Sequence, residues 1–294
     1  MSKAYALREG AFGTAIVLEA RANLVAHAHS ESQLALWLGG TRAVAHVGSQ
    51  VVPYGENVAL GVNAFEAHDM VMDSGGGSCL FLVFMISQEW LDNLGNATGR
   101  SFRFPSPRVP INAALRRSCW RVLDLIISAK DVRSTIDKEV ERLLEAAIAT
   151  SSTAGGVEPS AASVGVLLDQ RLRGAIAYMR EHVSEITTID EIAAKVGLSR
   201  GHFFALFRDQ LNTTPQVFWS GVRVEEAMRR VAEGSALTDV ALDLGFSAPG
   251  NFSRFFKEHT GVSPSIFKRA TRDPLPVTVT GIPRERGQST FPMR

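Results

Sequence analysis

Apolar residues recur at helical spacing near the C-terminal end of the chain, and they do so twice. The spacing i, i+3, i+4 places side chains on one face of a helix. A constant offset of 49 residues relates the two copies over more than 15 positions. The matched pairs are Phe203 with Phe252, Leu206 with Phe255, Phe207 with Phe256, Arg208 with Lys257, Pro215 with Pro264, and Phe218 with Phe267. A repeated spacing of this kind predicts two copies of one supersecondary unit.

Each copy is predicted to be a short helix, a tight turn and a second helix. The short helices carry the matched pairs Ile-Ala and Val-Ala, and they end at Gly197 and Gly245, where a left-handed C-cap costs glycine little. Asp190 and Thr238 are the predicted N-caps of the short helices, and Ser199 is that of the first following helix. This is the helix-turn-helix pattern, whose second helix enters the DNA major groove.

A longer helix is predicted between the two copies. Thr214 is its expected N-cap, Pro215 occupies the first helical position, and Gly234 ends it. Glu225 and Arg229 are predicted to form an i, i+4 ion pair on its surface. At about 1.5 Å per residue, the length of this helix is close to the distance of roughly 34 Å between successive major grooves.

This region resembles the DNA-binding domain of AraC/XylS-family transcription regulators. The resemblance runs from near Arg171 to Arg269, and its most specific text is ALDLGF, FSRFFK and GVSPS in the second copy. It implies contact with a double-stranded DNA operator and with RNA polymerase. Arg223 matches a family arginine for which we expect a structural ion pair. The expected DNA-binding residues are Arg200, Gly201, His202, Ala205, Arg208, Pro249, Gly250, Asn251, Ser253, Arg254 and Lys257.

The side chains of the second copy are suited to reading bases. Arg254 can donate two hydrogen bonds to guanine O6 and N7, and Asn251 can make the paired contact to adenine. Arg208 and Lys257 come later in their helices, where we expect phosphate contacts. Phe204 has two interpretations, a contact with a thymine methyl group or a place in the core.

The N-terminal part shows short apolar runs separated by turns. Many short strands at regular spacing predict a β-barrel or jelly roll. The predicted strands are Ala15 to Ala20, Gln33 to Leu38, Ala43 to Val47, Val51 to Pro53, Val58 to Val62 and Cys79 to Ile86. Residues 91–104 are predicted to be irregular, and Pro105, Pro107 and Pro110 are expected to break both helix and strand.

Histidines within these runs resemble the first motif of the cupin barrel. His27 and His29 alternate on one strand, Gln33 stands where that motif has an acid, and His68 lies near a later strand. These residues and Trp37 are the predicted ligand-binding set of a sensor barrel. Three alternatives are open for the histidines: a site for Zn, Fe, Mn or Cu, the lining of a ligand cavity, or a structural role. Because Gln33 is a poor ligand, the prediction is that no metal or other cofactor is bound.

Two amphipathic helices are predicted between the barrel and the repeats. Their apolar stripes are wider than an exposed helix tolerates, so they pack on the barrel, on each other or on a second subunit. The resemblance favours a symmetric homodimer formed here, and an intramolecular helical cap is the alternative. The stripes are Leu115, Cys119, Val122, Leu123, Ile126 and Ile127 in one helix, and Ile136, Val140, Leu143, Leu144, Ala147 and Ile148 in the other.

Charge and cysteine content change this picture little. From Gly165 onward the chain has 17 basic and 14 acidic residues, so this part carries +3 and the preceding part −2. Phosphate binding would therefore depend on local clusters of basic side chains. Two cysteines are too few for a disulfide framework, and the N-terminus shows no signal peptide. We expect a cytoplasmic protein without a membrane segment.

The predicted fold class is α+β with two domains: an N-terminal cupin-like β-barrel or jelly roll with flanking helices, and a C-terminal all-α tandem helix-turn-helix. The predicted function is a ligand-responsive, sequence-specific transcription regulator with an unidentified small-molecule effector and no catalytic residues. The alternatives are a metal-dependent cupin enzyme, an isomerase or dioxygenase, and a nonspecific architectural DNA binder. The predicted divisions are 1–104 for the sensor barrel, 105–150 for the helical segment, 151–165 for a linker, 166–270 for the DNA-binding domain and 271–294 for a disordered tail.

Overall fold

The computed structural model describes residues 2–74, 76–98, 102–127, 133–154, 169–185, 187–211 and 213–272. It has two domains, a sheet-rich N-terminal domain and a helical C-terminal domain. Among the described residues, no helix combines the length and the hydropathy that a membrane span requires. A helix that ends at Arg272 includes the first two residues of the predicted disordered tail, 271–294. Residues 273–294 of that tail and residues 155–165 of the predicted linker lie outside the described ranges.

The N-terminal domain contains two antiparallel sheets. One has the strand order β1-β2-β9-β4-β7-β10, and the other has the order β3-β8-β5-β6. The strands are β1 Lys3–Gly10, β2 Gly13–Ala20, β3 Leu24–His27, β4 Ser32–Gly40, β5 Ala43–Val47, β6 Gln50–Pro53, β7 Val58–Val62, β8 His68–Met72, β9 Cys79–Ile86 and β10 Arg108–Pro110. All six predicted strands fall on observed strands, whereas β1, β3, β8 and β10 were not among them.

The six-stranded sheet is covered on both faces. Along β4, Leu34 and Leu36 point toward the flanking helices, and Ala35 between them joins the cluster shared with the second sheet. Successive side chains on a strand point to opposite faces, so burial on both faces requires an almost uninterrupted apolar sequence. Cys79–Ile86 has this composition, which is why β9 could be recognised from sequence.

Three helices follow the strands: α1 Gln88–Thr98, α2 Ala113–Ile127 and α3 Arg133–Ala154. The apolar stripes of α2 and α3 are buried against each other and against the six-stranded sheet within one chain. A second subunit is therefore not needed to cover them, and the predicted homodimer gains no support from these stripes.

Several local predictions for this segment were wrong. Residues 91–104 are not wholly irregular, because α1 runs to Thr98. The prolines do not prevent a strand: β10 pairs with β7 at the edge of the sheet, where Pro110 needs no ladder donor. The sheet thus continues past residue 104, and α3 extends through residues 151–154 of the predicted linker.

The C-terminal domain is made of seven helices in the described ranges. They are α4 Gln170–Glu181, α5 Ile189–Lys195, α6 Arg200–Leu211, α7 Pro215–Ala232, α8 Leu237–Asp243, α9 Pro249–Thr260 and α10 Pro264–Arg272. The helix α4 begins after Asp169, which caps it. The repeated apolar residues form one core, with Phe203, Phe207, Phe252 and Phe256 almost fully buried.

The turns of the two repeats agree with the sequence, and so does the Ser199 cap of α6, whose hydroxyl accepts a hydrogen bond from His202 N–H. The predicted caps of the two short helices do not. Gly197 and Gly245 adopt left-handed backbone, with φ of 70° and 73°. The N-cap of α5 is Thr188 rather than Asp190, and it forms a capping box with Glu191. The N-cap of α8 is Ala236, without a side-chain bond, so the Thr238 prediction was also wrong.

The helix α7 was predicted correctly at both ends. The Thr214 hydroxyl accepts the hydrogen bond of Val217 N–H, and Gly234 after the helix has φ 97°. The helix contacts α6 of the first repeat and both α8 and α9 of the second. It therefore joins the two repeats through one rigid element.

Candidate functional site

All eleven residues that were predicted to contact DNA are exposed. They lie on the outer faces of α6 and α9, because the inner faces are occupied by the buried phenylalanines of each repeat. Each helix follows a glycine turn after a shorter helix, which is the arrangement that presents a helix to a DNA groove. The structure thus leaves these two faces free, and it contains no nucleic acid with which to test the contacts.

The two exposed helices differ in how their arginines are held. Arg200 of α6 forms an ion pair with Asp190 and lies over the ring of Phe204, 5.0 Å from its centroid. Among the described residues, Arg254 and Lys257 of α9 take part in no ion pair. A guanidinium without a partner does not lose an existing bond when it binds a base or a phosphate, so α9 presents the more available cations.

Arg223 of α7 has a structural role, but the predicted ion pair was wrong. It donates a hydrogen bond to the carbonyl oxygen of Leu244, and its guanidinium lies 4.3 Å from the centroid of Phe246 and 5.5 Å from that of Phe255. Burial lowers the pKa of the Arg223 guanidinium. The residue ties α7 to the end of α8 and to α9, and so fixes the position of the second repeat.

The predicted ligand residues His27, His29, Gln33 and His68 come together in the N-terminal domain. His27 and His68 are cross-strand partners between β3 and β8, and their ring centroids are 4.3 Å apart. Gln33 Oε1 lies 2.9 Å from His29 Nε2 and 3.3 Å from His68 Nε2. All three imidazoles are buried.

Hydrogen bonds to the main chain orient the rings of this three-histidine cluster. The Nδ1 atoms of His27, His29 and His68 face the main-chain carbonyl oxygens of Val25, Glu31 and Glu66. A carbonyl oxygen only accepts hydrogen bonds, so each Nδ1 donates to its carbonyl group. Burial lowers the pKa of His27 to about 3 and lowers that of His68 well below its ordinary value, with the neighbouring histidines as a second cause.

A cavity of about 90 Å³ lies beside the cluster, at the junction of the two domains. Residues of both domains line it, among them His27 and Phe81 from the strands and Val224, Met228 and His259 from the helices. Burial lowers the pKa of His259, whose ring centroid is 6.0 Å from that of His27. The cavity is smaller than the roughly 150 Å³ that accommodates benzene in an engineered protein core.

Trp37, the fifth predicted ligand residue, does not line this cavity. Its indole N–H donates to the Thr41 carbonyl oxygen at 3.3 Å, and its ring lies beside a separate small cavity near Trp120. Trp37 lies four residues after Gln33 on β4, so about 13 Å of strand separates the two.

The segment that contains His27 and His29 is also where the C-terminal domain docks. The Glu225 carboxylate accepts hydrogen bonds from the main-chain N–H and the hydroxyl group of Ser30. Gly221 lies so close to the segment that a Cβ atom there would be 1.5 Å from the Ala28 carbonyl oxygen. The predicted pair of Glu225 with Arg229 was therefore wrong, since Arg229 instead pairs with two other glutamates of its helix.

Phe65 and Glu31 also lie at the junction. Phe65 has a left-handed backbone (φ 66°), and its ring is 5.1 Å from that of Phe218 and 5.3 Å from the Arg180 guanidinium. A positive φ is unfavourable for an aromatic residue, so the surrounding packing maintains it. Burial and the charge of Glu225 raise the pKa of Glu31 to about 7.

Sequence reasoning missed Glu225, His259, Phe65 and Gly221 as junction residues. Glu225 and His259 lie on helices whose periodicity explained only the core of their own domain. The glycine inside α7 was the available signal, because glycine in a helix interior usually marks a close approach. The pattern could not indicate what approaches.

Comparison with known proteins supports the helical domain most strongly. Residues 192–270 match a family described as a helix-turn-helix domain. The chain is 28% identical over 111 residues to the raffinose operon transcriptional regulatory protein of Pediococcus pentosaceus, covering 37% of this chain and 40% of that protein. It is 29% identical over 118 residues to a helix-turn-helix-type regulator of Pseudomonas aeruginosa, covering 40% and 36%. The chain thus spans about two fifths of the length of these curated relatives.

The two-domain fold is similar to that of ToxT from Vibrio cholerae. One ToxT structure aligns with 93% of this chain and 98% of its own, at 10% identity and a TM-score of 0.56. Another, with bound unsaturated fatty acid, covers 97% of both chains at 13% identity and a TM-score of 0.52. At these identities the similarity concerns the fold alone.

Proposed function

The chain carries an AraC-type helix-turn-helix domain, and from this premise we propose that it is a ligand-responsive, sequence-specific transcription regulator. In this proposal, α6 and α9 are the recognition helices of a tandem pair. They enter two successive major grooves on one side of the DNA. The observation that carries the proposal is the exposure of all eleven predicted reading positions on two helices that pack against α7.

The length of α7 supports contact with two grooves. Its 18 residues correspond to about 27 Å at 1.5 Å per residue. Successive major grooves are about 34 Å apart. Both recognition helices pack against α7, so its length sets the order of the distance between them.

The location of the cavity supports control by a small molecule. An effector in the junction contacts both domains, so it binds one relative arrangement more tightly than another and shifts the population between them. Ligand pockets commonly measure about 300–1,000 Å³, so a larger effector would have to displace Val224, Met228 or His259 of the DNA-binding domain. ToxT, which shares the fold, has been obtained with an unsaturated fatty acid.

Finer features of the proposal follow the sequence resemblance. We propose a cupin-like sensor barrel, a homodimer and a contact with RNA polymerase. The competing enzyme hypothesis requires an acidic group positioned as a ligand or base at the histidine cluster. Gln33 occupies that position, and the related proteins named above are regulators, which favours regulation over catalysis.

Replacement of Arg254 tests the assignment of α9. Preferred duplexes would be selected from a random pool with the wild-type chain, and binding measured by fluorescence anisotropy at fixed salt. Arg254→Ala is expected to cost about 1–3 kcal/mol and to relax discrimination at one base pair. Lys257→Ala is expected to weaken binding to all sequences similarly and to reduce the salt dependence.

Arg42→Ala provides a matched control, because Arg42 is an exposed arginine of the N-terminal domain. It should leave affinity and base preference unchanged. If Arg254→Ala kept the wild-type preference at every position, α9 would not read bases through this residue. If no sequence were enriched from the pool, the chain would be a nonspecific binder and the proposal would be wrong.

A further inference from the structure

Phe204 of α6 is a large aromatic residue that lies outside the core. It is half-buried, whereas Phe203 and Phe207 on the inner face of the same helix are fully buried. In the described part of the helical domain, Phe204 does not belong to the apolar cluster that contains these two residues. The contact described for its ring is the Arg200 guanidinium, 5.0 Å from the ring centroid. A place in the core therefore does not account for this side chain.

Arg200 is held over this ring by a second contact. It is the first residue of α6, and Phe204 follows one turn later on the same face. Its guanidinium also pairs, through Nη1, with the carboxylate of Asp190. Asp190 belongs to α5, the preceding helix of the same repeat. The carboxylate and the ring together restrict the guanidinium, so less rotamer freedom remains to be lost when it binds a partner.

The Arg200 guanidinium keeps donors for a further partner. A guanidinium has five N–H groups, and the pair with Asp190 uses Nη1. Nε and Nη2 have no hydrogen-bond partner among the described residues, and the Arg200 side chain is 57% exposed. Two N–H groups of one arginine match O6 and N7 of guanine in the major groove. The ion pair with Asp190 therefore leaves the arginine able to read a guanine.

Phe204 offers an apolar contact beside this arginine. Apolar side chains such as phenylalanine contact the methyl group of thymine in the major groove. Along one DNA strand, successive nucleotides are about 3.4 Å apart, which is comparable with the 5.0 Å between the guanidinium and the ring centroid. The two groups can therefore meet neighbouring base pairs from one face of α6.

The second repeat has different chemistry at the matching positions. At the constant offset of 49 residues, Pro249 stands in place of Arg200 and Ser253 in place of Phe204. Proline has no side-chain donor, and serine has no apolar ring. The two repeats thus present unlike surfaces to their grooves, and we expect them to select two unlike half-sites.

From these contacts we infer that Arg200 and Phe204 read a guanine next to a thymine in the groove that α6 enters, and that Asp190 is the positioning residue for Arg200. The inference rests on the proposed DNA-binding function and deepens it, because it assigns a base step to the first repeat. Asp190 acts through Arg200 rather than through a contact of its own with DNA.

Variants of α6 test the two reading side chains against the duplex that the full wild-type chain selects from a random pool. Arg200→Ala should remove the preference for one guanine and weaken binding about fivefold or more. Arg200→Lys keeps the charge but not the planar fork, so it should lose the same preference. Phe204→Ala should remove the preference for the neighbouring thymine and weaken binding about threefold. Fluorescence anisotropy at fixed salt measures each affinity.

Modified bases test the same contacts without changing the protein. Replacement of the thymine by uracil removes its methyl group, so it should weaken wild-type binding about threefold and leave binding by Phe204→Ala unchanged. Replacement of the guanine by 7-deazaguanine removes the N7 acceptor. It should weaken wild-type binding about fivefold or more and leave binding by Arg200→Ala unchanged.

Asp190→Asn tests the positioning role. Asparagine retains the shape of the side chain but not its charge, so the preference for the guanine should decrease, and Asp190→Glu should restore part of it. Asp239→Asn is the matched control, because Asp239 is an exposed acidic residue in the first turn of α8, the corresponding helix of the second repeat. If the pair of Asp190 with Arg200 were only structural, Asp190→Asn would lower the melting temperature and leave every base preference unchanged.

The inference is overturned if the selected sequence contains no guanine beside a thymine whose preference depends on Arg200 and Phe204. Arg254→Ala separates this outcome from a failure of the proposed function. If Arg254→Ala relaxes discrimination at one base pair while Arg200→Ala and Phe204→Ala change no preference, the proposed function stands and the inference alone is wrong. If the wild-type chain enriches no sequence, both are wrong.

Discussion

Replacement of Glu225 separates the docking of the two domains from the stability of α7 itself. Its carboxylate accepts a hydrogen bond from Ser30 Oγ at 2.6 Å and a second from the Ser30 main-chain N–H. Hydrogen bonds to a charged group contribute about 1.5–3 kcal/mol each, and partial exposure reduces this. Repulsion by Glu31 offsets part of the gain when Glu31 is ionised, since the charge of Glu225 raises the pKa of Glu31.

Because repulsion between Glu31 and Glu225 requires an ionised Glu31, the effect of Glu225→Ala depends on pH. Glu31, with a pKa of about 7, is mostly protonated at pH 5.5 and mostly ionised at pH 8. We expect Glu225→Ala to lower the free energy of unfolding by about 2–3 kcal/mol at pH 5.5 and by about 1–2 kcal/mol at pH 8. Urea denaturation at both pH values, followed by far-ultraviolet circular dichroism, measures the difference.

Glu233→Ala is the matched control on the same helix. Glu233 pairs with Arg229 at 2.6 Å on the exposed surface, so its removal should cost less than about 0.5 kcal/mol. A double-mutant cycle with Ser30→Ala would isolate the hydroxyl–carboxylate bond. If Glu225→Ala and Glu233→Ala lowered the free energy of unfolding equally at both pH values, the contact between Glu225 and Ser30 would not stabilise the docked arrangement.

Three other replacements test the junction and the helical core. The folded-state pKa of the Glu31 carboxyl is raised from 4.5 to about 7, so ionisation of this group destabilises the fold as pH rises through that window. Glu31→Gln should therefore raise the free energy of unfolding by up to about 3 kcal/mol above pH 7 and change it little below pH 4.5. Urea denaturation measures both values. Gly221→Ala should lower the melting temperature, because the new Cβ atom would overlap the Ala28 carbonyl oxygen. Gly201 has open space around it, so Gly201→Ala should raise the free energy of unfolding by about 0.5–1 kcal/mol. Arg223→Ala should cost about 2–3 kcal/mol through the lost carbonyl bond and ring contacts, and a thermal melt unchanged from wild type would contradict its structural role.

The C-terminal domain was predictable because its information is local and repeated. The i, i+3, i+4 phenylalanines, the glycines after the short helices and the Thr214-Pro215 start of α7 act within a few residues of chain. Caps were less predictable. Thr188 and Asp190 are both good capping residues two positions apart, and the side chain of Glu191 decides between them by completing a capping box.

The N-terminal strands were predictable where burial on both faces makes the sequence almost entirely apolar, as in Cys79–Ile86. Edge strands carry a weaker signal. The strand β10 has three residues, of which the last is Pro110, and forms only because β7 offers its free edge. In the same way, the wide stripes of α2 and α3 required a covering surface, but the stripes alone did not distinguish the sheet from a second subunit.

By itself the sequence determined the helices of the two repeats, the strands buried on both faces, and which side chains of α6 and α9 are exposed. Tertiary structure decided that Trp37 leaves the histidine cluster, that Glu225 turns from its own helix to Ser30, and that His259 reaches the cavity from the other domain. The physical reason is the range of the interactions. Periodicity and backbone propensity act between near neighbours in sequence, whereas contacts at the junction, such as that of Ser30 with Glu225, join residues 195 positions apart or more. Their proximity exists only once both domains have packed.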